Sequence, residues 1–281
     1  MTYVKRGPNE PVPYDSDLTV GIVGTGEIGG AMVERMRDVS VPVVAFARRP
    51  EARDHLASIG VDLVDSLADL GSRCDIVIVC VFTDAQVSEV ALDGLLASMR
   101  PGSVLVSHTT GSPSTYERLA AAAPNGVHIV DAPVSGAPSA ARAGNITLLV
   151  GGDDDAVARI TPVLDTYASP VIHAGPLGRG QQVKLINNLL FAANVQVAVA
   201  AAHLGEGFGF EPAPLATILG VCSGASFATG LISAMGSLDT LVSGLGPFLG
   251  KDIAVVEAVS AELGLDLGIL GDVVRNGPFG R

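Results

Sequence analysis

The sequence predicts an α/β fold followed by an all-α one: a mostly parallel, doubly wound sheet over residues 18–180, then an all-helical domain over 181–281 entered through one long helix. Three observations predict it. Short apolar runs alternate with helix-forming stretches from Leu18 to His173, the pattern of repeated βα units. That alternation stops at Gln181, beyond which an apolar stretch with scattered amides reads as a single helix. Finally, 281 residues with 48% hydrophobic and 16% charged side chains supply enough apolar surface for two cores.

Residues 1–17 mix prolines, glycines and charges without the apolar run of a signal peptide, and are expected to form a flexible arm. Leu18–Val23 is the first strand, and it runs directly into Gly24-Thr25-Gly26-Glu27-Ile28-Gly29 before a helix over Gly30–Arg37. Among 34 glycines a G-x-G-x-x-G string means little by itself. Its place at the first βα junction gives it weight, because there the glycines turn the chain tightly and bring a helix N-terminus close to a pyrophosphate. The sheet is therefore read as a Rossmann domain. Val43–Ala47, the second strand, ends in Arg48-Arg49-Pro50, with no carboxylate before Glu51. An acidic residue at this point bonds the adenosine ribose hydroxyls, whereas arginine accommodates a 2′-phosphate. NADP is the expected cofactor, with NAD possible.

Helices are expected at Arg53–Ile59 and Ser66–Leu70, and strands at Val61–Val64, Asp75–Val81, Ser103–Ser107, Val127–Val130, Ile146–Val150 and Val171–His173. The unbroken apolar run in Asp75–Val81 marks a parallel strand buried on both faces. The loops after it and after Ser107 lie at strand C-termini, where ligands bind in open α/β sheets, so Phe82, Thr83 and Thr110 are candidate cofactor contacts. Ser112 is equally a cap for the helix that Pro113 begins. In Asp131-Ala132-Pro133-Val134-Ser135-Gly136, a hydroxyl and turn amides can meet an anion; a plain turn fits these residues as well. Asp153–Asp165 is an amphipathic helix whose acidic start suits the helix dipole.

The stretch Gly175-Pro176-Leu177-Gly178-Arg179-Gly180-Gln181 is a glycine-rich turn feeding the long helix. Lys184, Asn187 and Asn188 then share one face. Nothing about forming a helix requires a cation and two amides there, and buried polar groups need partners, of which a substrate is one; capping amides beside a solvated lysine are the other reading. About 25 helical residues at 1.5 Å each exceed the width of a small domain, so this helix is expected to join two domains. Shorter helices are expected at Pro214–Leu219, Thr229–Leu241 and Lys251–Leu263. The abundance of Ala and Gly in this half allows close helix packing and points to a homodimer.

Other classes are disfavoured. A formal charge of -12 argues against nucleic acid, whose affinity rests on Lys and Arg neutralising phosphates. The apolar stretch Leu185–Ala202 is interrupted by Asn187, Asn188, Asn194 and Gln196, which are expensive at bilayer depth, so no membrane span is expected. Cys74, Cys80 and Cys222 are an odd number without pair spacing, and the five histidines have no ligand constellation; neither disulfide nor metal is expected, and a cytoplasmic setting fits.

Four separated motifs agree with one family: Gly24–Gly29, Asp131–Gly136, Gly175–Asn188 with Lys184-x-x-Asn187-Asn188, and Lys251-Asp252. In order and spacing the chain resembles the β-hydroxyacid dehydrogenases. The resemblance implies hydride exchange between a nicotinamide cofactor and a small carboxylate substrate, a β-hydroxy acid or its semialdehyde. It implies Lys184 as general acid/base, Asn188 as the residue positioning it, Ser135 and Gly136 on the substrate carboxylate, and Lys251 completing the cofactor and substrate site. Three departures are visible. Ala137 stands where the family usually has a second glycine, Ala140 and Asn145 replace a usual glycine and threonine, and the chain ends thirty residues after Lys251. Two alternatives remain: a relative that reduces imines, whose members generally lack the lysine, and a non-catalytic nucleotide-binding or scaffold protein.

Overall fold

Runs of Val, Ile and Leu with few polar residues can only be buried as central strands, and in this chain they are. The computed structural model describes residues 17–277, so all but the last residue of the expected arm lies outside the described part. Contacts divide the chain into two units, Met1–Lys184 and Leu185–Arg281.

In the first unit β1 (Val20–Val23), β2 (Val43–Phe46), β3 (Asp62–Val64), β4 (Ile76–Val79), β5 (Val104–Ser107) and β6 (His128–Asp131) are parallel in the order β3-β2-β1-β4-β5-β6. Beyond β6 lie β7 (Val134–Ser135), β8 (Ile146–Gly151) and β9 (Ala168–Gly175); β8 runs antiparallel to β6 and β7 and parallel to β9. Every residue of β1, β4 and β5 is buried. Their side chains alternate between two cores, Ile76, Ile78, Val104 and Val106 on one face, Val77, Val79 and Leu105 on the other.

Helices cover both faces: α1 (Glu27–Asp38), α2 (Pro50–Ser58), α3 (Leu67–Arg73), α4 (Asp84–Val90), α5 (Leu96–Ser98), α6 (Pro113–Ala122), α7 (Pro138–Arg142) and α8 (Asp154–Tyr167). Met32, Val33 and Met36 of α1 and Ile160, Val163 and Leu164 of α8 fill the first core, Leu70 of α3 and Tyr116 and Leu119 of α6 the second. The strand order reverses between β1 and β4, the crevice where such sheets bind ligands.

Several expectations need correction. The segment after Thr83 is not only a loop: Thr83 and Gln86 form a reciprocal capping box that starts α4, and a kink at Asp93–Gly94, where Gly94 has φ 108°, separates it from α5. Ser135 closes a short strand, and α7 follows where only a turn was expected. Strand β9 starts earlier than Val171.

The second unit holds most of α9 (Arg179–Gly207) together with α10 (Pro212–Leu219), α11 (Phe227–Met235), α12 (Leu238–Leu263) and α13 (Gly268–Arg275). Its core joins Leu185, Leu189, Ala192 and Val195 of α9 to Ile232, Leu241, Ile253, Val256 and Val274. α9 is long and apolar enough by length and composition to cross a membrane, with mean hydropathy 1.6 over its best window, of which 56% is buried within the protein. The single helix expected over Thr229–Leu241 is instead broken. Gly236 takes a left-handed φ of 71° and ends α11, and the Ser237 hydroxyl accepts from the Thr240 N–H to start α12, which runs unbroken through Lys251.

Candidate active site

The glycine loop after β1 is built so that only glycine fits where the chain touches itself. Gly24 has φ 92°, and a Cβ there would lie 2.2 Å from the Cys80 carbonyl oxygen; a Cβ on Gly29 would lie 2.0 Å from the Gly24 oxygen. Gly26 differs, since a Cβ there meets nothing within 4 Å, and as N-cap it offers no side chain to the first turn of α1. The space a side chain would fill, and the helix N-terminal amides beside it, fit the pyrophosphate of a dinucleotide. Thr25 and Ile28 are half-buried in this loop and Glu27 is exposed at its helix start.

Arg48 and Arg49 follow β2 and are exposed. Arg53, by contrast, is committed to structure: it donates to the carbonyl of Val64 at 3.2 Å and pairs with Asp65 at 2.7 Å. At the end of β4 Phe82 is 53% exposed, while the Thr83 hydroxyl is occupied in capping α4. Ser112 does not cap α6 with its side chain. Asp84, at the start of α4, instead ties down this helix start, accepting from the Ser112 N–H at 3.1 Å and the Thr115 hydroxyl at 3.3 Å.

Asp131, at the end of β6, is fully buried and accepts from the N–H groups of Gly178 at 2.6 Å and Gln181 at 2.7 Å. The start of α9 therefore docks on the end of β6, four residues before Ser135. Close approach demands glycine again: a Cβ on Gly180 would lie 2.2 Å from the Leu149 oxygen. Ser135 is half-buried opposite Thr147 of β8, and Gly136 has φ 135°, a conformation that favours glycine. Lys184, half-buried, comes in the second turn of α9. Burial pushes the Asp131 carboxyl up to about 6, against the pull of its two N–H donors.

His108, after β5, is buried between the Ala132 carbonyl, 2.7 Å from Nδ1, and the Tyr167 hydroxyl, 2.8 Å from Nε2. A carbonyl only accepts, so Nδ1 carries the proton and Nε2 accepts from the tyrosine. Burial lowers its pKa to about 4. The thiol of Cys80, under the glycine loop, is pushed up to about 12 by burial and stays protonated.

In the helical unit the buried Asn188 accepts from Asn187 at 3.1 Å and donates to Asp252 at 2.5 Å. Lys251 Nζ lies 3.2 Å from the other Asp252 oxygen, an ion-pair distance off the direction of a hydrogen bond. Asp252 thus joins two residues singled out in the sequence. Asp131, Gln181 and Asp252 lie inside the sequence motifs, but the motifs assign them no role. A carboxylate closing a buried strand, as Asp131 does, was the one available signal.

A Rossmann sheet with an open pyrophosphate cradle, followed by a helical half, defines a dinucleotide-binding protein. The family model for the NAD binding domain of 6-phosphogluconate dehydrogenase matches residues 19–175. Human mitochondrial 3-hydroxyisobutyrate dehydrogenase is 30% identical over 253 residues, 86% of this chain and 75% of that protein. The solved structure of Mycobacterium tuberculosis 3-hydroxyisobutyrate dehydrogenase with L-serine aligns with a TM-score of 0.81 and 25% identity, covering 92% of this chain and 91% of that one. That of Psf3 in complex with NADP+ and 2-OPP aligns with a TM-score of 0.77 and 27% identity, covering 91% of each. The chain belongs to the β-hydroxyacid dehydrogenase family. It is an oxidoreductase in kind, related to NAD(P)-dependent 3-hydroxyacid dehydrogenases, and its cofactor is a nicotinamide dinucleotide.

Proposed function

We propose that this protein interconverts a small β-hydroxy acid and its semialdehyde, with NADP as the preferred cofactor and Lys184 as general acid/base. The observation that carries the reading is the pair of hydrogen bonds from Gly178 and Gln181 to Asp131. Through it the motif bearing Ser135 and the helix bearing Lys184, far apart in sequence, are bonded to one another. A nicotinamide held by the glycine loop would supply the hydride for the carbonyl carbon in reduction and accept it from the carbinol carbon in oxidation. In reduction the Lys184 ammonium gives a proton to the carbonyl oxygen; in oxidation the neutral amine takes the hydroxyl proton. A lysine suits the task because burial and neighbouring charge readily move its protonation. Ser135 and the Gly136 turn are assigned to the substrate carboxylate, as is Lys251. Asn188 is assigned to orienting Lys184, one turn away on the same helix. Gly24–Gly29 and Thr110 are assigned to the cofactor, with Phe82 and Thr83 lining it, and Arg48 and Arg49 to the adenosine 2′-phosphate. The helical half is assigned a second role as the surface of a homodimer.

The test is oxidation of NADPH, with NADH in parallel, against short semialdehydes and glyoxylate. Wild type is expected to turn over with NADPH favoured, and Lys184→Ala to lose roughly 10²–10⁴-fold in kcat while still binding NADPH. Turnover indifferent to Lys184→Ala would refute the lysine mechanism. A substrate accepted only as an imine would move the protein to the imine-reducing relatives.

A further inference from the structure

Resting on the reading above, we propose that Gln181 is a positioning residue: its side chain clamps the Thr110 loop to the Lys184-bearing start of α9, so that cofactor and proton donor are held in register.

Gln181 is fully buried. An amide taken out of water is costly unless both ends are bonded, and both are. Its Oε1 accepts from the Gly111 N–H at 2.9 Å and its Nε2 donates to the Thr109 carbonyl at 2.9 Å. These are the two residues flanking Thr110, which is half-buried and makes no hydrogen bond among the described residues. The loop around Thr110 is thereby fixed while the polar groups of Thr110 stay available to a ligand.

The clamp has firm ground on both sides. The Thr109 hydroxyl donates to the Val81 carbonyl at 2.8 Å, stitching the loop to the end of β4. Gly111 is pressed so close to Asp84 that a Cβ would fall 2.4 Å from its Cβ, leaving the loop no room to slide. On the helix side the Gln181 N–H donates to Asp131 at 2.7 Å. Lys184 lies at i+3 from Gln181, a neighbouring position on the helix surface. Moving the amide would therefore shift Thr110 relative to Lys184, and errors of about 1 Å in such placement cost on the order of a hundredfold in rate.

Two variants separate positioning from packing. Gln181→Met keeps length and helix propensity but removes both bonds. Gln181→Glu, read at a pH high enough to ionise its buried carboxyl, keeps an acceptor for Gly111 and sets a second carboxylate oxygen against the Thr109 carbonyl. Three quantities are read: amide hydrogen exchange at Gly111 without cofactor, NADPH dissociation constant by fluorescence titration, and kcat and KM for a semialdehyde that wild type reduces. In Gln181→Met, exchange at Gly111 is expected to quicken and NADPH binding to weaken by roughly tenfold each, with kcat falling roughly tenfold or more and KM changing less. In Gln181→Glu, Gly111 is expected to stay more protected than in Gln181→Met while kcat falls similarly. NADPH affinity and kcat within about twofold of wild type in both variants would overturn the proposal, even with a lowered Tm, since a merely structural amide predicts that pattern. Should wild type reduce no semialdehyde, the functional reading fails separately, and exchange and NADPH affinity alone decide the role of Gln181. Should Gln181→Met not fold, the same readouts on Gln181→Glu decide it.

Discussion

His108 and Asp131 are buried titratable groups at the ends of neighbouring strands, and burial moves them in opposite senses on the pH axis. His108 falls to about 4 in the folded protein from 6.5. Its contribution to stability is full above 6.5 and is lost as pH falls toward 4, about 3 kcal/mol at 1.36 kcal/mol per unit. Asp131 rises to about 6 from 3.8, so its charged form is the disfavoured one. Its contribution is most favourable below 3.8 and declines as pH climbs through 6, again by about 3 kcal/mol. Over the same interval the two slopes oppose each other and nearly cancel. Replacing His108 by Gln leaves the Asp131 slope uncompensated. In urea melts the stability gap between wild type and His108→Gln is expected to widen by up to about 3 kcal/mol between pH 4.5 and 7. A gap that stays constant across that range would show that His108 titrates normally in the folded protein.

Elements differ in how they use glycine, and the difference sets what substitution does. At Gly180 an added Cβ meets backbone, the Leu149 oxygen at 2.2 Å, and the Asp131 carboxylate at 2.8 Å. Neither can retreat without undocking α9 from β6, so Gly180→Ala is expected to destabilise by roughly 3 kcal/mol or more and to lower soluble yield. At Gly236 the added Cβ meets nothing within 4 Å, and only the left-handed φ of 71° resists. Gly236→Ala should cost about 1–2 kcal/mol and keep the fold, a contrast that thermal melts of the two variants measure directly. The same contrast explains what the sequence made legible. The central strands β1, β4 and β5 read correctly because they are uniformly apolar between turn residues, whereas the two-residue β7 is too short to show a pattern. The break at Gly236-Ser237 did not, because the helical half is apolar on nearly all sides and its periodicity carries no boundary. The capping box of Thr83 and Gln86 was readable but lay inside what looked like a cofactor loop. In the site, Lys184, Asn188 and Ser135 stand out as motif residues. Asp131, Gln181 and Asp252 bond across sequence separations of 47, 72 and 64 residues, which no spacing rule reaches.

At the scale of the whole molecule, apolar side chains remain on the surface of the helical half. Phe208, Phe210, Phe227 and Phe248 are all more than half exposed, in a chain with only eight phenylalanines and no tryptophan. Along α9, Ile186 (65% exposed), Leu190 (47%), Val197 (56%) and Leu204 (66%) lie within an arc of about 40° at 100° per residue, an exposed apolar stripe along the helix. Solvent does not favour such a stripe, and contiguous exposed apolar surface of this kind marks an interaction site. A second copy of the chain is the partner we assign to it, because an isologous contact lets one stripe cover its own twin. The charges opposing association are few on α9, whose second half carries Glu206 as its one carboxylate and no lysine or arginine. Sedimentation velocity is expected to give about twice the 28.5 kDa chain mass for wild type. The double variant Leu190→Lys, Val197→Lys, which alters no buried side chain, is expected to sediment as a monomer with unchanged circular dichroism. A wild-type monomer at tens of micromolar would assign the stripe to a different partner and leave the catalytic half of the proposal standing, since Lys184, Ser135 and the glycine loop all belong to the first unit.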